Sequence, residues 1–244
     1  MNLTVRLNQF ASLFRDIGDG DYISARANSQ LHLREQFFWA GLQALEKYLK
    51  AILLHNGQST LKYSHNLPEL LKAVRQISYL KFQIPVGVEE FLTRLRDLGD
   101  NRYLSTDTYV RPQNLIELDE SVWNIRAYCR YVRVTVQKRS IDLTDHYVNN
   151  INSRNSLRDP RMFRPVSDNG FLVDVLARPR TDSLRRVLVW HNRFFGSGRA
   201  RVADPPYGSS SRIPPNRQRP FSQQEKTELA KFIYFPRNRK DIFL

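Results

Sequence analysis

The stretch from Gln36 to Gly57, QFFWAGLQALEKYLKAILLHNG, constrains the fold of this chain more than any other. Phe38, Leu42, Leu45, Leu49 and Ile52 fall at alternating steps of four and three, which keeps them on one side of a 3.6-residue helix. Phe37, Ala44, Tyr48 and Ala51 form a second stripe beside the first. Only Gln36, Gln43, Lys47 and Lys50 remain as a polar edge. Glu46 sits at its margin, four residues before Lys50, where an ion pair is weakly favourable. Gly57 is the expected stop, because glycine enters the left-handed conformation that closes a helix. A helix this apolar, about 30 Å long at ~1.5 Å per residue, needs neighbours on most of its sides. Its charges interrupt it too often for a membrane span. The reading is a central core helix.

The flanking segments supply those neighbours. Leu3, Leu7, Phe10, Phe14 and Ile17 repeat the four-three spacing and predict a first helix over residues 3–17 with that stripe inward. Gly18-Asp19-Gly20-Asp21 has a turn composition and predicts its break, leaving residues 22–33 as a short helix or a run-in. Asn66 with Glu69 fits a capping pattern, and Pro68 suits a first helical turn. Leu67, Leu70, Leu71, Val74 and Ile77 then give the next inward face. Phe82 to Pro85 reads as extended, and Val88 to Leu98 as a fourth helix with Val88, Phe91, Leu92 and Leu95 buried. After a loop from Arg102 to Pro112, the series Leu115, Leu118, Val122, Ile125, Cys129, Val132 and Val136 predicts one long last helix. Residues 1–137 therefore read as an all-α antiparallel bundle with short connections.

From Lys138 the character changes. Residues 149–169 read as a linker, and FLVDVLA (171–177) and LRRVLVWH (184–191) as two strands of a hairpin around Arg178 to Asp182. Residues 196–220 are rich in Gly, Ser, Pro and Arg and read as a long loop, and Ser222 with Glu225 as the start of a short closing helix. Residues 138–244 are thus expected to be a small basic α+β or partly disordered accessory region. Charge divides the chain at the same place. Residues 1–137 hold 17 basic and 14 acidic side chains, a net +3, while residues 138–244 hold 21 and 10, a net +11. Most of the basic residues in the second part are arginine, which suits forked contacts with phosphate and a polyanionic partner.

No run of 18 or more apolar residues occurs, so no transmembrane helix and no membrane partner is expected. The N-terminal residues lack a signal-peptide pattern, and a single cysteine, Cys129, excludes an intrachain disulfide; a cytoplasmic location is expected. Neither a phosphate-cradling glycine loop nor a metal-ligand spacing is present, so no cofactor and no metal are expected. Cys129 falls within an apolar stripe, as a buried inert thiol would.

Three pieces in order carry a family resemblance: the central FFWAGLQALEKYLKAILLHNG with Ala44, Glu46, Lys47, Lys50 and Ala51; then SHNLPELL with His65; then DNRYLSTDTY with Arg102 and Tyr103. Over roughly residues 3–137 the chain resembles the HEPN family of small helical bundles. The resemblance implies a homodimer, nucleotide or RNA binding, and a nucleotidyltransferase partner. Some HEPN members are metal-independent endoribonucleases or toxins using an Arg-x(4–6)-His motif, and others act as non-catalytic interaction modules or antitoxin-like partners. Here no histidine follows Arg102 at that spacing. The motif occurs formally at Arg26–His32, Arg139–His146 and Arg186–His191, with Arg139 and His146 expected on one helix face and Arg186 and His191 on a strand. The candidate ligand-binding residues are Arg102, Tyr103, Lys47, Lys50 and His65. Arg102 and His65 are the weak candidates for any cleavage. An arginine can fork onto phosphate, a tyrosine can stack on a base, and a histidine titrates near neutrality. The expected function is nucleotide or RNA binding with weak or no catalysis, the dimer forming through the apolar Gln36 helix.

Overall fold

The computed structural model describes residues 3–63, 66–100, 113–130, 133–136, 139–143, 145–146, 149–150 and 170–196. Its elements are α1 (Leu3–Gln30), α2 (Arg34–His55), α3 (Leu67–Arg75), a 3-10 turn (Ser78–Leu80), α4 (Val86–Asp100), α5 (Asn114–Arg126), β1 (Arg133–Val136), β2 (Arg139–Asp142), α6 (Phe171–Ala177) and α7 (Ser183–Val189). The fold is an all-α bundle with α2 at its centre, packed against α1, α3, α4 and α5. Both expected stripes of α2, from Phe37 to Ile52, are buried, and Gly57 closes the helix region with φ 69°. The inward faces of α3 and α4 are also those read from the sequence: Leu67, Leu70, Leu71, Val74, Val88, Phe91, Leu92 and Leu95 are all buried. Asn66 does precede α3, but its side chain makes no cap hydrogen bond.

Several expectations fail, each for a physical reason. The Gly18–Asp21 segment is not a turn; α1 runs unbroken from Leu3 to Gln30. Gly18 instead packs tightly against α2. A Cβ there would lie 3.1 Å from the Tyr48 ring and 3.2 Å from the Ala44 carbonyl oxygen, so a larger residue would require α2 to give by a few tenths of an ångström. The buried face of α1 is also not the apolar one. Ala11, Arg15, Gly18, Asp19, Tyr22, Ala25 and Arg26 point inward, while Leu3, Phe10, Leu13 and Ile17 point out.

The last helix stops at Arg126. Tyr128 N and Cys129 N donate to Ile125 O and Arg126 O, the tightened bonds of a helix end. The chain then enters an antiparallel hairpin pairing Arg133 with Asp142 and Val136 with Arg139. Val136 therefore lies on a strand, and its four-three spacing with Leu115 to Cys129 is coincidental; β-branched residues here follow their own preference.

The runs at 171–177 and 184–191 are helical rather than strands. Short apolar runs do not distinguish a buried strand from a helix by pattern alone. The local signal that decides is Asp182, whose side chain accepts from Arg185 N at 2.9 Å and caps α7. The expected turn from Arg178 to Asp182 exists, but it joins helices.

These two helices are not a separate domain. α6 and α7 pack on α1, and Leu172, Val175 and Leu188 belong to the same core as α2. A division of the chain at residue 137 therefore cuts through one core. Beyond α7, Phe195 meets the rings of Trp123 (5.4 Å) and Tyr22 (6.0 Å), fastening the end of the hairpin to α5 and α1. The expected linker from 151, the long loop from 197 and the closing helix after Ser222 lie outside the described residues.

Candidate functional site

The two lysines singled out by sequence sit on the polar edge of α2, each already engaged. Lys47 Nζ donates to Asp21 Oδ2 at 2.6 Å and to Gln43 Oε1 at 3.0 Å. Lys50 Nζ donates to Glu46 Oε1 at 2.5 Å, the i,i+4 pair anticipated from spacing. Both lysines are half-buried. A phosphate would have to compete with these carboxylates for either cation. Arg102, Tyr103 and His65 lie outside the described residues; in the chain, Arg102 and Tyr103 follow the end of α4 at Asp100, and His65 precedes α3.

The densest polar chemistry among the described residues is buried between α1, α5 and the α6–α7 hairpin. α1 carries Asp19 and Arg26, and α5 carries Asp119 and Arg126, the same seven-residue offset with the order of charge preserved. Antiparallel packing turns that into two reciprocal ion pairs. Arg126 Nε donates to Asp19 Oδ1 at 2.6 Å and its Nη2 to Asp19 Oδ2 at 2.8 Å, while Arg26 Nη1 donates to both oxygens of Asp119. Tyr22 OH donates to Asp119 at 2.6 Å, and Tyr48 OH to Asp19 at 2.8 Å. Burial, reinforced by the neighbouring aspartates, pushes both phenols well above their ordinary range, so both remain donors. Burial disfavours the charge on Arg26 and Arg126, but the adjacent carboxylates outweigh it and hold both guanidinium groups protonated.

The hairpin completes this network. Leu172 N donates to Asp19 Oδ2 at 2.8 Å, Asn192 Nδ2 donates to Tyr22 OH at 2.9 Å, and Arg26 donates to Val187 O at 3.1 Å and to Trp190 O. Charges buried this fully need such a set of partners. Their enclosure also excludes contact with a substrate, so the network positions elements rather than performing chemistry. The sequence contains the signal, two Asp-x(6)-Arg repeats about 100 residues apart.

His55 and Cys129 are enclosed as well. Burial, and then the charge of Arg15, lowers the His55 imidazole to about 4; its Nδ1 lies 3.1 Å from Asn8 Oδ1. Burial raises the Cys129 thiol to about 12, with Sγ donating to Tyr48 O at 3.4 Å, as an inert thiol should be. The formal Arg-His spacings do not assemble: Arg26 is locked in the buried pair, Arg139 is on β2 with exposed His146 beyond the strand, and Arg186 is on α7 with His191 in the left-handed turn after it (φ 47°). No group of three or more potential metal ligands occurs among the described residues. No helix there is long and apolar enough to cross a membrane.

The open cationic surface is elsewhere. Arg180, Arg186 and Arg193 are exposed on and around the α6–α7 hairpin, whereas Arg185 is tied to Leu176 O and Arg178 to Asp182.

No curated protein and no solved structure matches this chain. The sequence profile of the HEPN domain matches residues 11–129, which span the length from α1 through α5 and end at the buried thiol. Its limits leave out the hairpin that closes the core. With the three matching sequence pieces and the α2-centred bundle, this establishes that the N-terminal part of the chain is a HEPN domain.

Proposed function

We propose that this protein binds RNA, with the HEPN bundle as scaffold and the basic C-terminal region supplying most of the phosphate contacts, and that it cleaves RNA weakly or not at all. HEPN domains are linked to RNA-related and nuclease-like functions in general. The observation that carries the finer reading is the position of the charge: a net +11 in residues 138–244, with Arg180, Arg186 and Arg193 exposed on a hairpin that is rigidly joined to the bundle. Arginines on a packed element meet phosphates with less entropy to lose than arginines on a free tail. The weak-cleavage part rests on the absence of a histidine at the motif spacing after Arg102 and on His55 being buried and neutral. Metal-independent cleavage needs a base and an acid within hydrogen-bond reach of the reacting oxygens, and arginine cannot shuttle a proton near neutral pH.

The test is binding of a labelled single-stranded RNA across a salt series, with the triple variant Arg180→Glu, Arg186→Glu, Arg193→Glu. Each lost phosphate contact removes about 0.7 from the logarithmic salt slope for a single strand. The expected result is weaker binding and a slope shallower by about 2. Unchanged affinity and slope in the triple variant refute the assignment. In the same reactions, with chelator present, robust cleavage that disappears in Arg102→Ala and His65→Ala would establish the ribonuclease alternative instead.

A further inference from the structure

One carboxylate on α5 stands outside the buried network. Glu120 is half-buried, and its side chain has no hydrogen bond or ion pair among the described residues. Its neighbours are satisfied: Glu117, one turn back, is paired with Arg94 at 2.6 Å, and Asp119 is held by Arg26 and Tyr22. The backbone carbonyl of Glu120 accepts from Asn124 Nδ2 at 2.8 Å, but both carboxylate oxygens are open. Burial raises this carboxyl above its usual range; Arg193 opposes the shift and Glu117 adds to it. A carboxylate so placed gains more from a pair of donors than one in open water does.

Two further groups stand beside it, both from the turn after α7. Arg193 is exposed, lies within electrostatic reach of Glu120, and has no hydrogen-bond or ion-pair partner among the described residues. Phe194, next in the chain, rests on Trp123 with ring centroids 5.7 Å apart and planes tilted by 37°. Trp123 is one turn beyond Glu120 on α5. Phe194 is half-buried and Trp123 buried, so the phenyl ring is the wetter member of the stack. Asn192 fixes the turn. Its Oδ1 accepts from Phe194 N and Phe195 N, each at 3.0 Å, and its Nδ2 donates to Leu188 O and Tyr22 OH. The acceptor, the ring and the cation are therefore held in place before any ligand arrives.

We propose that Glu120, Phe194 and Arg193 form a site for one guanine nucleotide. A ring for stacking, an acceptor for a base edge and a cation for phosphate make up the set by which proteins hold unstacked bases. Guanine is the base that fits the acceptor. Its Watson–Crick edge presents N1–H and N2–H side by side, and each donates to one oxygen of a carboxylate. Adenine and cytosine offer one amino donor beside a ring-nitrogen lone pair, which a carboxylate repels. Uracil offers a single N–H between two carbonyls. The same chemistry serves a guanosine within a strand and free guanosine monophosphate. For a strand, the assignment rests on the RNA-binding reading: the exposed arginines hold any sequence, and this site selects a base within it.

The experiment titrates the full chain with guanosine, inosine and adenosine 5′-monophosphates by isothermal calorimetry. Oligouridine strands carrying one central G or A are measured alongside by fluorescence anisotropy. Guanosine monophosphate should bind at least about tenfold more tightly than the adenosine nucleotide, because the latter leaves a carboxylate oxygen facing a lone pair. Inosine monophosphate, which lacks the N2 amine, should fall between them, and the G strand should exceed the A strand by a similar factor. Glu120→Gln should bring guanosine and adenosine nucleotides to within about threefold of each other. Its melting curve should match wild type, since the carboxylate has no partner in the chain to lose. Arg193→Ala should weaken all three nucleotides alike. A wild type with no preference for guanosine monophosphate, or a preference that persists in Glu120→Gln, overturns the proposal. Selection of that nucleotide by a chain that binds no strand would keep this site and refute the RNA-binding reading. Strands bound without base preference, with the free nucleotide unselected, would do the reverse.

Discussion

Replacing Arg26 by methionine tests how the C-terminal hairpin is held. The side chain is fully buried and makes contacts in two directions: to Asp119 on α5, and to the carbonyls of Val187 and Trp190 at the end of α7. Methionine fills much of the volume but leaves the Asp119 carboxylate, 2% exposed, without its cation. Breaking a buried pair from one side costs about 3–5 kcal/mol. Two carbonyls that lose a charged donor add about 1 kcal/mol or more between them. The total is roughly 4–6 kcal/mol, against a typical domain stability of about 5–15 kcal/mol. For a chain of this size that lowers Tm by roughly 10–20 °C. Urea and thermal unfolding followed by circular dichroism give the magnitude, and fluorescence of Trp190 and Trp123 reports on the hairpin interface. Glu89→Gln is the control. It removes a two-pronged pair with Arg75 (2.8 and 2.5 Å) whose side chains are both 42% exposed, and should cost under about 1 kcal/mol. Adding Asp119→Leu to Arg26→Met should recover part of the loss, because the stranded carboxylate is then gone. A cost for Arg26→Met no larger than that of Glu89→Gln would refute the reasoning.

Two further outcomes are expected. Truncation after residue 137 should yield an insoluble or non-cooperatively folding fragment, since it strips Asp19, Tyr22 and Arg26 of buried partners; solubility and a circular dichroism melt of the fragment check this. For His55, whose pKa falls from 6.5 in the unfolded chain to about 4 in the fold, the unfolded state binds the extra proton in that window. Stability is therefore full above pH 6.5 and falls toward pH 4, by about 3 kcal/mol at ~1.4 kcal/mol per unit; urea midpoints across this range should flatten in His55→Gln.

What the sequence shows legibly is the part governed by apolar spacing. α2, α3 and α4 bury the residues that their spacing nominates, because each has neighbours of the ordinary kind and few charges inside. α1 is illegible by the same rule. Leu3, Phe10 and Ile17 of its four-three apolar series face outward, and its inward face holds Asp19 and Arg26, whose partners are about 100 residues away. No local pattern announces such a pairing; it appears only when Asp19–Arg26 and Asp119–Arg126 are compared as offsets. The helices at 171–177 and 183–189 were hidden by valine content, and the Asp182 cap was the available clue. Of the candidate site residues, only the ion pair of Lys50 with Glu46 was foreseeable from spacing. Lys47 finds its carboxylate on α1, across a helix that the sequence reading broke at that point.

The inversion of α1 also bears on why the molecule has its present surface. Burying a large apolar side chain is worth about 1.5–3 kcal/mol, and α1 leaves Leu3, Phe10, Leu13 and Ile17 largely outside. A buried ion pair, in contrast, rarely exceeds a well-packed apolar replacement in stability. The stability of α1 against the bundle therefore rests on Ala11, Gly18, Tyr22, Ile23 and Ala25 beside the charged pairs. The charged face instead supplies direction: Asp19 and Arg26 accept one arrangement of α5 and one docking of the hairpin, because their partners are single backbone groups at Leu172, Val187 and Trp190. That docking brings the arginines of the hairpin into fixed relation to the bundle.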